Sequence, residues 1–233
     1  HPPLAYLRRI HKLAHVDLSS CYTDAEVWDE FDPALVSLCS PDPQAFRPPD
    51  EPNNVLHVGL PTNFKAAAFG DRANTNMLRQ LELDIANVTL EGKDVPVKLR
   101  VYDSLFVPMA KWSMLCAGNY RCVLDDGAQS INSAVHGDLG ATAMIYSWVV
   151  EVAQKLGAEL VDTVPFHKYA HAADNLLKPS SVARAIEAGS SEVERVDKLV
   201  QLVARSLDMQ NDELDRIVKT VDNRLLDNVS LAV

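Results

Sequence analysis

The sequence predicts a mainly α fold, in which a C-terminal helical bundle is preceded by a smaller α/β segment. Strand-like runs are confined to the first part of the chain, whereas from Leu105 onward one helical apolar pattern follows another. Apolar residues make up 47% and charged residues 23% of the 233 residues, which is ordinary for a globular chain able to bury a sizeable core. We therefore predict a boundary near Tyr102, with a small α/β segment over 1–102 and an all-helical domain over 103–233.

The α/β segment has several predicted elements. Apolar spacing predicts a helix over 4–14, and Thr23 is a candidate N-cap for a second short helix. Strands are predicted over Ala34–Cys39 and Asn54–Gly59, separated by the proline-rich residues 41–52, which can form neither helix nor central strand. The remaining predictions are a helix over Ala73–Ala86 and a hairpin whose strands are Val88–Leu90 and Val95–Val101.

The predicted helical domain begins with the span 105–124, which carries apolar residues around its whole circumference. Such a helix belongs at the centre of a bundle. Asp138 is a candidate N-cap for a long helix that ends at Gly157. Further helices are predicted over 164–177, 181–188, 192–207 and 212–227.

Charge and cysteine content limit the classes of partner. A formal net charge of −10 disfavours binding to nucleic acid and to anionic membrane surfaces. No apolar run approaches membrane-spanning length, and the first residues do not resemble a signal peptide. The four cysteines form no C-x-x-C pair, so we expect reduced, buried thiols in a cytoplasmic protein rather than a zinc site.

Several polar positions are candidates for a functional site. Lys111 lies in the apolar central span, so its ammonium must reach solvent, a partner or a ligand; a lysine whose stem is buried and whose head reaches water is the ordinary alternative. Ser180 and Ser181 precede a helix and can cap it, and Ser181 is also a candidate ligand donor. Glu194 is predicted to lie opposite the apolar face of its helix, where it faces either water or a cleft.

Two other kinds of site have little support. His167 and His171 are four residues apart on a predicted helix, which is compatible with metal binding, but only His136 or Asp174 can be suggested as a third ligand. We therefore predict no metal site. The chain contains no G-x-S-x-G motif, so hydrolase chemistry is not indicated.

The residues from Pro179 to Gly189, followed by Glu192 to Asp197, combine a serine pair, a short helix, a glycine, an acidic pair and an amphipathic helix. This order resembles the C-terminal domain of the ketopantoate reductase family, which is 6-phosphogluconate dehydrogenase C-terminal-like. The resemblance implies an NADP-dependent oxidoreductase that reduces a branched 2-keto acid, with 103–233 as its substrate and dimerisation domain in a homodimer.

The resemblance also assigns roles to individual residues. It implies that Lys111 protonates the ketone oxygen and that Asn119, Ser181 and Glu194 orient the substrate. Leu115 and Val123 stand where the family has asparagine. These two differences support an alternative function, a non-catalytic helical module for dimerisation or for binding a small acid.

NADP requires a glycine-rich turn at which the backbone approaches the pyrophosphate. None of the nine glycines forms a G-x-G motif, so we expect this chain to bind NADP poorly by itself. The resemblance implies that the α/β segment is the tail of a Rossmann-type domain lacking its glycine-rich front half, with Val55–Val58 as its final strand. NADP would then be held mainly by a domain not evident in this chain.

Overall fold

The computed structural model describes residues 2–40, 53, 62–95 and 97–231. The chain forms two compact units. An α/β unit comprises Pro2–Ile10 and Trp28–Met109, and a helical unit comprises His11–Val27 and Ala110–Val233. The predicted fold class is confirmed, since the protein is mainly helical with a small α/β part. The descent of the α/β part from a Rossmann-type domain stays a prediction.

The regular elements of the α/β unit are α1 (Leu4–Leu7), β1 (Thr62–Ala67), α2 (Arg72–Ala86), β2 (Thr89–Leu90), β3 (Lys93–Asp94) and β4 (Val97–Tyr102). β1 and β4 pair in parallel, from Thr62 opposite Val97 to Ala67 opposite Tyr102. α2 lies between them in sequence and packs against β4. This is the connection that a parallel pair needs, because its strands cannot be joined by a tight turn.

The predicted hairpin is present in a shorter form. β2 and β3 pair antiparallel across Glu91 and Gly92, whose φ angles are 52° and 74°. Its second strand is Lys93–Asp94, whereas the longer apolar run at Val97–Tyr102 pairs with β1 instead. The helix predicted over Ala73–Ala86 is confirmed as α2, which Asp71 caps by accepting from the Asn74 amide at 2.7 Å.

Several N-terminal predictions were wrong in detail. The helix predicted over 4–14 ends at Leu7, and a separate 3₁₀ turn follows at His11–Leu13. The short helix predicted from Thr23 is a 3₁₀ helix at Glu26–Glu30. The proline-rich residues 41–52 and the strand predicted over Asn54–Gly59 lie outside the described residues.

The strand predicted over Ala34–Cys39 was also wrong. Residues Pro33–Leu35 form a 3₁₀ helix, because the Asp32 carboxylate accepts from the Ala34 amide at 2.9 Å and Pro33 is preset for a first helical position. Extended pairing in this stretch occurs at Cys39, which forms an isolated bridge to Ala66. The Asp32 cap therefore favours a 3₁₀ helix at Pro33–Leu35, where the apolar pattern had predicted a strand.

The elements of the helical unit are α3 (Trp112–Met114), a π segment (Leu115–Asn119), a 3₁₀ turn (Tyr120–Cys122), α4 (Ile131–His136), α5 (Leu139–Leu156), α6 (Phe166–Ala173), α7 (Ser181–Glu187), α8 (Val196–Ser206) and α9 (Asp212–Leu231). The capped helix predicted before Gly157 is confirmed as α5: Asp138 accepts from the Ala141 amide at 2.8 Å, and Gly157 has a φ of 124°. α4, capped by Ser130, was not predicted.

The single helix predicted over 105–124 is instead a sequence of short turns. A 3₁₀ turn at Val107–Met109 is followed by α3, the π segment and a second 3₁₀ turn. The predicted central position of this span holds within the helical unit, because the π segment contacts α4, α5, α7 and α8. The surrounding helices supply hydrogen bonds that its irregular backbone needs, and these bonds shape the candidate site.

Candidate functional site

A cavity of about 230 Å³ lies in the helical unit. It is lined by Leu115, Asn119, Tyr120, Ser181, Val182, Ala185, Glu192, Val193 and Glu194. These residues form three walls: the π segment with the first residue of the following 3₁₀ turn, the start of α7, and the stretch that leads into α8. Its volume is below the roughly 300–1,000 Å³ that is typical of ligand pockets, so it suits a ligand of few atoms.

Three of the four predicted site residues line this cavity. Asn119 is half-buried at the end of the π segment, while Ser181 and Glu194 are exposed on the other two walls. They are far apart in sequence, and the fold brings them to one hollow. Because the three side chains line the same cavity, one ligand could contact all of them.

Lys111 is the predicted site residue that is not among those lining the cavity. It is half-buried directly before α3, at the N-cap position of that helix. The structure therefore groups the three predicted substrate-binding residues and leaves the predicted acid outside their lining.

Ser180 and Ser181 have different roles. The Ser180 hydroxyl accepts from the Ala183 amide at 3.3 Å, so the predicted N-cap of α7 is confirmed. The same hydroxyl donates to the Asn119 carbonyl at 2.7 Å. Ser180 thus ties the α7 wall to the π-segment wall, while Ser181 is the serine that lines the cavity.

Glu194 does not lie on a helix, contrary to the prediction of a helix over 192–207. α8 begins at Val196, and Arg195 occupies its N-cap position without a capping hydrogen bond from its own side chain. The Tyr120 hydroxyl accepts from the Val196 amide at 2.8 Å and donates to the Glu194 carbonyl at 2.5 Å. A tertiary contact is therefore made where the irregular stretch ends, and Glu194 lies before the helix.

Tyr120 was missed as a site residue by the sequence analysis. Its ring is buried, and burial raises the pKa of its phenol well above the ordinary value, with the nearby Asp197 charge acting in the same direction. The hydroxyl therefore keeps its proton and can donate. The available signal was a tyrosine inside an apolar span, since a buried tyrosine hydroxyl needs a hydrogen-bond partner.

A buried ion-pair cluster supports the wall that carries Glu194. Arg195 donates from Nε and Nη2 to both carboxylate oxygens of Asp197, at 3.0 and 2.9 Å, and from Nη1 to Asp222. Burial raises the pKa of Asp197, an effect that the paired guanidinium opposes. Burial alone would lower the pKa of Arg195, but the two carboxylates outweigh it and raise that pKa.

The lining determines which chemistry the cavity can support. Ser181 and Asn119 can donate to a ligand oxygen, and the Glu192 and Glu194 carboxylates can accept from a ligand hydroxyl or ammonium. Leu115, Val182 and Ala185 supply apolar contact. No lysine, arginine or histidine is among the residues lining this cavity, so its lining can bind and orient a ligand but contains no strong general acid.

Two of the three histidines singled out in the sequence, His136 and His171, form a different cluster. Asp174 contacts His136 Nε2 at 2.9 Å and His171 Nδ1 at 3.1 Å. Across the described part of the chain, no group of three or more His, Cys, Asp or Glu residues is arranged to hold a metal ion. The pair of contacts instead links α4 to the end of α6.

The connection from β1 to α2 does not fit the pyrophosphate of NADP. The connection from β1 to α2 contains Gly70, where an added Cβ would lie 2.9 Å from the Ala34 backbone. The glycine is therefore needed for packing. The Asp71 carboxylate already occupies the N-terminus of α2 through the Asn74 amide, and a negative charge there disfavours phosphate.

Cys21, Cys116 and Cys122 are buried, as expected, whereas Cys39 is exposed and contradicts that expectation. Burial raises the pKa of all three buried thiols, that of Cys21 to about 11. These thiols are therefore poor nucleophiles at neutral pH.

Comparisons of the chain with known protein families, curated proteins and solved structures returned no match. Among the helices in the described residues, none is long and apolar enough to cross a membrane.

Proposed function

We propose that the helical unit is the substrate-binding part of an NADP-dependent reductase of a branched 2-keto acid, as the resemblance to ketopantoate reductases implies. The observation that supports this is the common cavity of Asn119, Ser181 and Glu194. The resemblance assigned these three residues to the substrate, and nothing in their sequence spacing requires them to meet.

The contribution of this chain to the reaction is to bind and orient the substrate. The Ser181 hydroxyl and the Asn119 amide donate to the carboxylate or keto oxygens of the acid. The Glu194 carboxylate accepts from a substrate hydroxyl, and the apolar wall contacts its branched carbon skeleton. Holding the acid in one orientation lowers the entropic part of the barrier. In this proposal NADP is held mainly by a domain not evident in this chain.

Lys111 is the acid that protonates the ketone oxygen in this proposal. Lys111 is not among the residues that line the cavity. Its ammonium group must therefore reach the ligand from outside that lining. The same observation supports a second candidate function, a non-catalytic module that binds a small acid. Leu115 favours that alternative too, since it lines the cavity where the family has asparagine.

Binding is tested by titrating ketopantoate into the natural full-length protein by calorimetry, with Ser181→Ala and Glu194→Gln as site variants. Each is expected to weaken binding by about tenfold, as the loss of about 1.4 kcal/mol of hydrogen bonding requires. Ser147→Ala and Glu151→Gln on the exposed face of α5 are matched controls and should retain wild-type affinity. Equal loss in site and control variants, or no binding by the wild type, contradicts both candidate functions.

Turnover separates the two candidates. Oxidation of NADPH in the presence of the keto acid, abolished in Lys111→Met while ketopantoate still binds, supports the reductase. Binding of the acid without NADPH binding or turnover supports the module. The cytoplasmic location and the homodimer belong to the same proposal, and sizing chromatography at low protein concentration tests the dimer; a monomer peak contradicts it.

A further inference from the structure

The three walls of the cavity meet at two consecutive residues. The carbonyl of Asn119 accepts from Ser180 at the start of α7, and the hydroxyl of Tyr120 contacts the backbone on both sides of Arg195. The π-segment wall is therefore hydrogen-bonded to each of the other two. The bond to α7 uses a serine that also caps its own helix, whereas two hydrogen bonds at the end of the Glu192–Glu194 wall converge on the Tyr120 hydroxyl.

We propose that Tyr120 is a positioning residue for this cavity, whose hydroxyl holds the Glu192–Glu194 wall against the π segment that carries Asn119; the proposal rests on the ligand binding proposed above. Tyr120 lies next to Asn119 and itself lines the cavity. Its hydroxyl joins residues 194 and 196 across 74 and 76 positions of sequence. The hydroxyl therefore links the π segment that carries Asn119 to the stretch that carries Glu194.

The backbone around Arg195 explains why this hydroxyl is needed. The Val196 amide is at the first position of α8, where a helix offers no internal acceptor. At many helix starts an N-cap side-chain oxygen accepts from one of the first amides, but the Arg195 side chain has no acceptor, and its guanidinium donates to Asp197 and Asp222. The Tyr120 hydroxyl accepts from Val196 and so completes the start of the helix from another part of the unit.

The two hydrogen bonds also constrain the stretch before the helix. One oxygen atom both accepts from Val196 and donates to Glu194, so the peptide groups on either side of Arg195 must face the same point. Ser190 adds a local contact by donating to the Glu192 carbonyl at 2.6 Å. Without the Tyr120 hydroxyl, that local contact and the buried ion pairs remain, but the direct hydrogen bonds to the opposite wall are lost.

Tyr120→Phe is the test variant, because it removes the hydroxyl and keeps the ring. Tyr146→Phe is the matched control: Tyr146 is a buried tyrosine of the same unit, its hydroxyl donates to the Val164 carbonyl at 2.7 Å, and it does not line the cavity. Both variants lose one buried hydroxyl, so their melting temperatures should fall by similar amounts. They should differ in the exchange rate of the Val196 amide, which lies at the end of the Glu192–Glu194 wall.

Amide hydrogen exchange decides the proposal without any ligand. In Tyr120→Phe the Val196 amide should exchange at least about tenfold faster than in the wild type, as loss of its acceptor requires. In Tyr146→Phe its exchange should be unchanged. An equal rate in the two variants overturns the proposal. If Tyr120→Phe does not fold, the wild type decides: Val196 must exchange more slowly than Ser181, the corresponding first amide of α7, and equal protection overturns the proposal.

Ketopantoate affinity then tests the consequence for binding. Tyr120→Phe should bind about tenfold more weakly than the wild type, and Tyr146→Phe within about twofold. Wild-type affinity in a folded Tyr120→Phe overturns the positioning role. Absence of binding by the wild type contradicts the proposed function instead, and the exchange measurement still decides whether Tyr120 holds this wall.

Discussion

Asp197 and Arg195 place opposite charges inside the helical unit. The Asp197 side chain has no exposed surface, and it accepts two hydrogen bonds from Arg195. Charges removed from water are costly unless they are paired and hydrogen-bonded, so each of these groups depends on the other. Because Arg195 directly follows Glu194, the pair also fixes the end of one cavity wall.

Removing the Asp197 carboxylate should be strongly destabilising. Asp197→Ala leaves a buried guanidinium with Asp222 as its remaining carboxylate partner, and we expect a loss of about 3–5 kcal/mol in the free energy of unfolding. Arg216→Ala breaks the exposed pair with Glu213 and should cost no more than about 1 kcal/mol. Urea denaturation measures both free-energy changes. A similar cost for the two variants would contradict the dependence of Arg195 on Asp197.

At the scale of single residues, local signals were sufficient for some predictions and not for others. The capping roles of Ser180 and Asp138 were predicted, because a cap depends on residues three positions away. The role of Tyr120 was not, because its partners are more than seventy residues away in sequence. A sequence indicates that a buried hydroxyl needs a partner but does not identify the partner.

At the scale of elements, the backbone of the π segment is hydrogen-bonded at both ends to side chains from other parts of the helical unit. Tyr169 donates to the Met114 carbonyl at 3.1 Å, and Ser180 donates to the Asn119 carbonyl at 2.7 Å. These bonds satisfy backbone acceptors at both ends of an uncommon helix type that is often found at functional sites. Gly118 makes the first contact possible, because an added Cβ would lie 1.8 Å from the Tyr169 hydroxyl.

Gly118→Ala should therefore destabilise the helical unit. The new methyl group must displace Tyr169 or distort the π segment, and overpacking of this kind costs about 1–3 kcal/mol. Gly140→Ala is the control, since its new Cβ would be 3.5 Å from Asp138 Oδ1, and it should be neutral or stabilising by up to about 1 kcal/mol. Urea denaturation gives both values.

A double variant tests the cause of that loss. Tyr169→Phe removes the oxygen with which the new methyl group collides, so Gly118→Ala should cost less in that background than in the wild type. Strict additivity of the two free-energy changes would show that the contact with Tyr169 is not the source of the strain.

Prediction of elements succeeded where the signals were local. α5 has an apolar periodicity, an N-cap and a terminal glycine, and all three act within a few residues. The span 105–124 has an apolar pattern that fits a helix, but its carbonyls find partners on α6 and α7. These tertiary bonds stabilise a backbone that periodicity does not anticipate.

At the scale of the whole molecule, three of the four thiols and several phenols are buried in their neutral forms. In the helical unit, burial raises the pKa of Cys21 from an ordinary 9.0 to about 11 and raises those of Cys116 and Cys122. The unfolded chain releases these protons at lower pH than the folded protein does. Their neutral forms therefore favour the folded state up to the unfolded pKa, and this stability is lost as the pH rises through the folded pKa.

The protein should lose stability between about pH 9 and pH 11. In this range the unfolded thiols bind fewer protons, so each one lowers the free energy of unfolding by at most about 1.4 kcal/mol per pH unit. Urea denaturation with a reductant at pH 8, 9, 10 and 11 measures the slope. Cys21→Ser should reduce the slope, and Cys39→Ser, at an exposed thiol, should not. An equal slope in both variants would contradict this assignment.

The sequence by itself determined the mainly helical class and the capped starts of α5 and α7, and a family resemblance named together three residues that line one cavity, Asn119, Ser181 and Glu194. Helix class and caps follow from interactions within a turn or two, which a sequence displays directly. Only the tertiary structure decided the parallel pairing of β1 with β4, the π segment, and the place of Lys111 outside the cavity lining. These features depend on contacts between distant residues, whose free energies exceed the local preferences of the backbone.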